Sequence, residues 1–326
     1  MTFEISPAAA SPNFVSCKGE FFQKAEFLGR GCFGAVFCMR SPSGRKIAAK
    51  TVLINAVTTN FEIDVMIQLS HPHLMGILGF DVSACTHFCT ILMECLETNL
   101  LTVIHRMNVE DKQVVFRQMV EAAGFMHSKR FAHCDLKPGN VLARDTRHIK
   151  ICDFGAVRPV QIDCFGEEMP QYNAAGTRVF DSPPKCLYQA TRVTKDDVWS
   201  LGIILFWMLA GRVPWKEAIK ELDVEFAKWS MGFESPYFRS FQTGAANVIR
   251  RALTMDEQAR PSMKELSWMP YCRGEREAGP SEAREFVPQP HQVNIHAVPP
   301  PRHFSVPPPG YHFAPAPRFN HINYAS

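Results

Sequence analysis

Three glycines spaced Gly29-x-Gly31-x-x-Gly34, with Val36 close behind, follow the apolar pair Phe27–Leu28 and run at once into Ala35–Cys38. This arrangement restricts the fold more than any other local feature. The same spacing occurs at dinucleotide sites, but there the glycines must open a helix. Here they lie between two strand-like runs. A glycine turn between strands lets backbone N–H groups approach phosphates where no Cβ intervenes. The plain alternative is a hairpin with a loose turn. Ile47–Val52 and Cys89–Met93 also read as strands, bounded by Gly, Ser-Pro and Asn. Between them, Thr59 to Leu69 carries Ile63, Met66, Ile67 and Leu69 mostly at helical spacing.

After Leu96 the pattern changes. Lys112–Met126, Val198–Ala210 and Ala245–Leu253 read as helices, so a strand-rich part precedes a helix-rich one, as in an α+β protein of two lobes. At roughly 150 residues per domain, 326 residues suggest about two domains, with core enough to need no staple. A net charge of +3 is too small to point to nucleic acid or an anionic membrane. The 11 cysteines are irregularly spaced and include no CxxC, which suits reduced thiols in the cytoplasm or nucleus. The opening MTFEISPAAASP lacks the basic and apolar regions of a secretory signal. The longest apolar run, Leu201 to Ala210, is about half of what a membrane span needs. The expectation is a monomeric protein of the cytoplasm or nucleus, not secreted, with neither a membrane nor a nucleic-acid partner.

Four groups of residues carry chemistry. The glycine turn is the first. Lys50 closes an apolar strand 16 residues past Gly34. It is either a solvated strand end or, paired with Glu62 on the next helix, a cation for two phosphates. His133-Cys134-Asp135-Leu136-Lys137-Pro138-Gly139-Asn140 puts a base, a cation and an oxygen ligand on one short loop. Asp153-Phe154-Gly155 follows 13 residues after Asn140 and supplies a second oxygen donor of the kind Mg²⁺ prefers.

Together, from about Phe21 to Cys272, these residues resemble the protein kinase superfamily. Further matches are Glu62-x-x-x-Met66-x-x-Leu69-x-His71-Pro72, Met93-Glu94-Cys95-Leu96, Gly176-Thr177, Asp197-Val198-Trp199-Ser200-Leu201-Gly202 and Arg260-Pro261-Ser262. The resemblance implies an α+β, bilobal protein-kinase fold: a flexible segment at 1–20, a strand-rich N-lobe at 21–95, a helical C-lobe at 96–272 and a disordered proline-rich tail at 273–326. It implies ATP and Mg²⁺ as cofactors and protein Ser/Thr hydroxyls as acceptors, because Lys137-Pro138-Gly139-Asn140 and Thr177 resemble the serine/threonine form. It assigns Gly29, Gly31 and Gly34 to the phosphates and Lys50, fixed by Glu62, to the α- and β-phosphates. Asp135 becomes the base, Lys137 the partner of the γ-phosphate, and Asn140 and Asp153 the Mg²⁺ ligands. Val36, Ala48 and Leu142 would enclose the adenine, the backbone of Glu94 and Leu96 would bond it, and Asn99 would reach the ribose. Met66, Ile77, His133 and Phe154 would stack as a spine. The loop motifs also resemble kinases of large DNA viruses. The alternative is a pseudokinase or scaffold acting through the fold and its tail.

Two departures stand out. Cys134 replaces an arginine that in the family meets a phosphate on the activation loop, and between Asp153 and Gly176 there is no Ser or Thr, only Tyr172. Glu167 and Glu168 would be at most a weak fixed-charge substitute. Ser182-Pro183-Pro184 stands for Ala-Pro-Glu, which removes the partner of Arg260 and leaves it to Asp256, Glu257 or solvent. Cys85-x-His87-x-Cys89 reads as a turn and strand with buried thiols, since a fourth zinc ligand is missing. Cys32 and Cys152 read as small packing residues near ATP. Of 24 prolines, 11 lie in residues 280–326. There Val298–Phe304 is echoed by Val306–Phe313, and Pro308-Pro309-Gly310-Tyr311 fits the PPxY pattern of WW-domain ligands. An inert linker is the alternative for this tail.

Overall fold

The computed structural model describes residues 11–31, 34–53, 58–82, 88–96 and 98–275. β1 (Phe14–Cys17) and β2 (Glu20–Gly31) form a hairpin whose turn, Lys18–Gly19, has φ of 51° and 78°. Two positive φ values suit the twist of paired strands. This corrects the expected flexible segment from Phe14 onward. Val15 and Cys17 alternate inward to join Phe22, Met39, Ile47, Ala49 and Leu92 on one face of the sheet. That alternation outweighs the Ala, Ser and Pro content around it.

β3 (Gly34–Arg40), β4 (Lys46–Leu53), helix α1 (Thr58–Gln68), β5 (Ile77–Val82) and β6 (Phe88–Glu94) follow. The antiparallel sheet has six strands in the order β1-β2-β3-β4-β6-β5. α1 packs on β5 and on the turn Phe154–Ala156. The connection before β5 is tied to the helical lobe: Met75 N–H donates to Ile151 O at 2.8 Å, and Ile151 N–H to His73 O at 2.9 Å.

The second lobe begins with β7 (Thr98–Asn99), α2 (Leu100–Val103) and α3 (Val109–Ser128). α3 starts at a capping box, Asn108 with Asp111, and buries Val115, Phe116, Met119, Val120, Ala122, Ala123 and Met126 along one helical stripe. Short strands β8 (Phe131–Ala132), β9 (Val141–Ala143), β10 (Ile149–Ile151) and β11 (Arg158–Pro159) bracket the loops that carry the candidate residues. The helices α4 (Pro183–Cys186), α5 (Val193–Ala210), α6 (Val224–Ser230), α7 (Thr243–Ala252), α8 (Met263–Ser267) and α9 (Pro270–Arg273) complete the lobe. From Val198 onward α5 is apolar on nearly all sides and is buried by α3 and α7. Trp199, Trp207 and Trp215 are core residues, as their setting in apolar sequence suggests. The chain is therefore bilobal, strands first and helices second. Among the described residues no helix is long and apolar enough to cross a membrane.

Candidate active site

The antiparallel register decides which side chains share the inner face of the sheet. Val36 is opposite Lys50, and Cys38 is opposite Ala48. Opposed residues point the same way and alternate residues share a face, so Val36, Ala48 and Lys50 lie together. Gly29 faces Val36 and Gly31 faces Gly34 at the end of the β2–β3 hairpin. A Cβ at Gly34 would stand 2.2 Å from the carbonyl oxygen of Thr51, so only glycine fits there. Cys32 and Phe33 lie outside the described residues.

Lys50 is not a solvated strand end. Its Nζ donates to Glu62 Oε1 at 2.7 Å and to Asp153 Oδ1 at 2.9 Å, and both Lys50 and Glu62 side chains are under a tenth exposed. Burial pulls the Lys50 pKa down, but Asp153 and then Glu62 outweigh it and hold the ammonium above the usual lysine range. Burial pushes Asp153 up, yet Lys50 holds its carboxyl below the usual range. One cation thus joins strand β4, helix α1 and the segment after β10. Removing one side of such a buried pair costs roughly 3–5 kcal/mol.

The loop between β8 and β9 is fixed from below by Asp197 on α5. Asp197 Oδ1 accepts from Cys134 N–H at 2.8 Å, and Oδ2 accepts from His133 N–H and approaches His127 Nε2, both at 2.8 Å. Burial raises Asp197, but the His127 contact and its neighbours bring it below the usual range. Cys134 needs this anchor because its φ is 66°, a costly conformation for a side chain with a Cβ. Asp135 then receives several donors. Thr177 Oγ1 donates to Oδ1 at 2.7 Å, Lys137 Nζ to Oδ2 at 2.7 Å and Asn140 Nδ2 to Oδ2 at 3.2 Å. Lys137 also donates to Thr177 Oγ1 at 2.8 Å. Cys152 N–H donates to Asn140 O at 2.9 Å, which brings Asp153 beside Asn140. Met66, His133 and Phe154 are buried, and the His133 and Phe154 rings lie 5.9 Å apart.

The donor set suits a hard cation. Asn140 spends its amide nitrogen on Asp135, which leaves its amide oxygen uncommitted, and the Asp153 carboxylate is partly exposed. Among the described residues no group of three His, Cys, Asp or Glu could hold a metal. Two protein oxygens with phosphate and water completing the shell is a Mg²⁺ pattern.

At the junction of the lobes, Ala48 is buried and Leu96 and Leu142 are half-buried. Glu94 turns its carboxylate to Lys150, 2.6 Å away, and to Arg144, 3.3 Å away, leaving only its backbone for a ligand. Asn99 serves its own helix, since its Oδ1 accepts from Thr102 N–H at 3.1 Å and caps α2. A groove of about 220 Å³ bounded by Trp215, Trp229, Phe233 and Phe238 shares no residue with this site.

Several positions differ from expectation. Arg260 is not exposed, and among the described residues it makes no ion pair. It is 1% exposed, donates to Thr254 O and Lys195 O, and stacks on Trp199 at 4.9 Å. Glu257, one of its expected partners, pairs with Arg192 instead. Burial lowers the Arg260 pKa to about 10. Glu168 accepts from Thr194 N–H at 3.0 Å and from the Thr194 hydroxyl, so its charge caps the first turn of α5. Burial raises the Cys152 thiol to about 12, in keeping with a packing role. Sequence reasoning placed Asp197 in a family motif but missed its anchoring of the loop, and it missed the ion pair of Asp181 with Lys185. Cys85, His87 and the PPxY tail lie outside the described residues, while Cys89 is buried on β6.

Residues 22–272 match the family described as protein kinase domain. A cell cycle serine/threonine-protein kinase of Saccharomyces cerevisiae is 27% identical over 276 residues, covering 81% of this chain and 38% of the relative. Myosin light chain kinase 3 of Pongo abelii is 30% identical over 287 residues, covering 80% and 34%. Extracellular signal-regulated kinase 1 of Candida albicans is 32% identical over 218 residues, covering 63% and 52%. The chain spans about a third to a half of these relatives' lengths. They are fungal and mammalian, and lend no support to the viral likeness.

Proposed function

This chain belongs to the protein kinase domain family, and from that premise we propose that it transfers the γ-phosphoryl group of ATP to serine or threonine hydroxyls of proteins. The observation that carries the reading is the simultaneous closure of two clusters. Lys50 is held by both Glu62 and Asp153, while Asp135 is held by Thr177, Lys137 and Asn140. Fold stability alone could account for the first cluster, but a scaffold has no use for a lysine, an amide and a hydroxyl gathered on one carboxylate.

In this reading the hairpin bearing Gly29, Gly31 and Gly34 covers the phosphates, and Lys50 grips the α- and β-phosphates. Val36, Ala48 and Leu142 enclose the adenine, bonded by the backbone of Glu94 and Leu96. Asp135 orients the acceptor hydroxyl and takes its proton as the hydroxyl oxygen bonds to the γ-phosphorus and the bond from that phosphorus to the β–γ bridging oxygen breaks, releasing ADP. Lys137 balances charge on the transferring group. Asn140 and Asp153 would hold Mg²⁺, which when bound neutralises phosphate charge. Little covalent chemistry falls to the protein, so positioning and electrostatics supply the rate.

The acceptor class is tested by incubating the full chain with Mg²⁺-ATP and a mixed peptide library. Phosphate on Ser and Thr, and not on Tyr, is expected. Phosphate confined to Tyr would overturn the serine/threonine assignment.

A further inference from the structure

Behind the Asp135 loop lies a buried cation that the proposed reaction does not use. Lys185 on α4 has a side chain 5% exposed. Its Nζ donates to Asp181 Oδ1 at 2.8 Å and to the carbonyl oxygen of Cys134 at 2.9 Å. Cys134 immediately precedes Asp135. Gly176 immediately precedes Thr177, whose hydroxyl donates to Asp135. Gly176 has a φ of 142°, and a Cβ there would stand 2.4 Å from both Asp181 Oδ1 and Lys185 Nζ. The ion pair is therefore packed against the backbone on both sides of the Asp135–Thr177 contact.

Both backbone polar groups of Cys134 are committed. Asp197 accepts its N–H, and Lys185 donates to its C=O. That carbonyl belongs to the planar peptide unit whose nitrogen is the backbone nitrogen of Asp135. Rotation of this plane would turn the Asp135 side chain, and the positive φ of Cys134 leaves the plane without the support of regular structure. Burial works against a charged Lys185, but Asp181 and then Asp196 outweigh it and keep it protonated. A buried charge persists only where it is paired and hydrogen-bonded.

We propose that Lys185, paired with Asp181, is a positioning residue that sets the orientation of Asp135 and joins its loop to the segment bearing Thr177. The proposal rests on the kinase reading above. Its test compares the full-length wild type with Lys185→Met, which keeps the length and removes the charge, and with Asp181→Asn, which keeps the shape. Turnover at saturating Mg²⁺-ATP, KM for ATP and thermal unfolding are measured, with Asp135→Asn as the blank.

At a temperature where each variant is folded, Lys185→Met should lower kcat at least about tenfold and Asp181→Asn by a smaller factor, with KM for ATP within about twofold of wild type. A folded Lys185→Met variant with wild-type kcat overturns the proposal. Parallel loss of kcat and ATP affinity also overturns it, because that pattern marks general damage. If Lys185→Met does not fold, Asp181→Asn decides by the same split. A wild type no more active than Asp135→Asn removes the kinase reading itself. An active wild type matched by Lys185→Met contradicts only the role of Lys185.

Discussion

Lys50 stays charged inside the protein because two carboxylates reach it from different parts of the chain. Asp196 shows the opposite outcome. Burial dominates, and its pKa rises to about 6 even though Lys185, Ser182 and Thr191 oppose the rise. In the unfolded chain the same carboxyl ionises near 3.8. Between those values the folded state binds the extra proton, so this group's contribution to stability falls as pH rises from about 4 to about 6. Asp196→Asn should remove that dependence. Urea unfolding across this range should show the wild type losing roughly 3 kcal/mol relative to the variant. A constant difference would contradict the burial account. Lys50, Glu62, Asp135, Asn140 and Asp153 were legible in the sequence because their spacing is tied to glycines and to one short loop. Lys185 and Asp181 were not. Four residues apart in a polar stretch, they look like surface charges, and their burial is decided by Cys134 and Gly176, distant in sequence.

Elements follow the same logic. The strands β2, β3, β4 and β6 and the helices α1, α3, α5 and α7 were readable because apolar period and turn residues agreed. β1 was not, since four alternating residues beside Ala, Ser and Pro give too short a signal. The segment from Asp153 to Gly176 lacks Ser and Thr. Its order comes from other contacts: Glu168 caps α5, and Gln171 exchanges backbone hydrogen bonds of 2.8 and 3.0 Å with Thr191. Activity should therefore not depend on phosphate in this segment. Treatment with a phosphatase that acts on phosphotyrosine as well as phosphoserine and phosphothreonine, followed by its removal, should leave turnover unchanged, because Tyr172 is the segment's one hydroxyl side chain. Loss of activity traced by mass mapping to a phosphate between Asp153 and Gly176 would contradict this.

At the scale of the whole molecule, the weak point is the buried Arg260. Its Nη2 has no hydrogen-bond partner among the described residues. Stacking on Trp199 returns about 2 kcal/mol when desolvated, against a burial penalty of several kcal/mol. The lowered pKa reflects that shortfall. In the family pattern the place of Pro184 holds a glutamate that pairs with this arginine. Pro184→Glu should therefore raise the melting temperature by about 2–4 °C for each kcal/mol regained. An unchanged or lower melting temperature would mean that Arg260 is already fully accommodated.

Lys137, Asn140 and Thr177 converge on Asp135, so its side chain gives the most direct measurement. Single-turnover phosphoryl transfer from Mg²⁺-ATP to a Ser/Thr peptide should be compared between the full-length wild type and Asp135→Asn, with binding of ATP confirmed for both. A fall of at least about 100-fold, with ATP affinity little changed, is the predicted result. Equal rates in the two proteins, or no transfer by the wild type, would contradict the account.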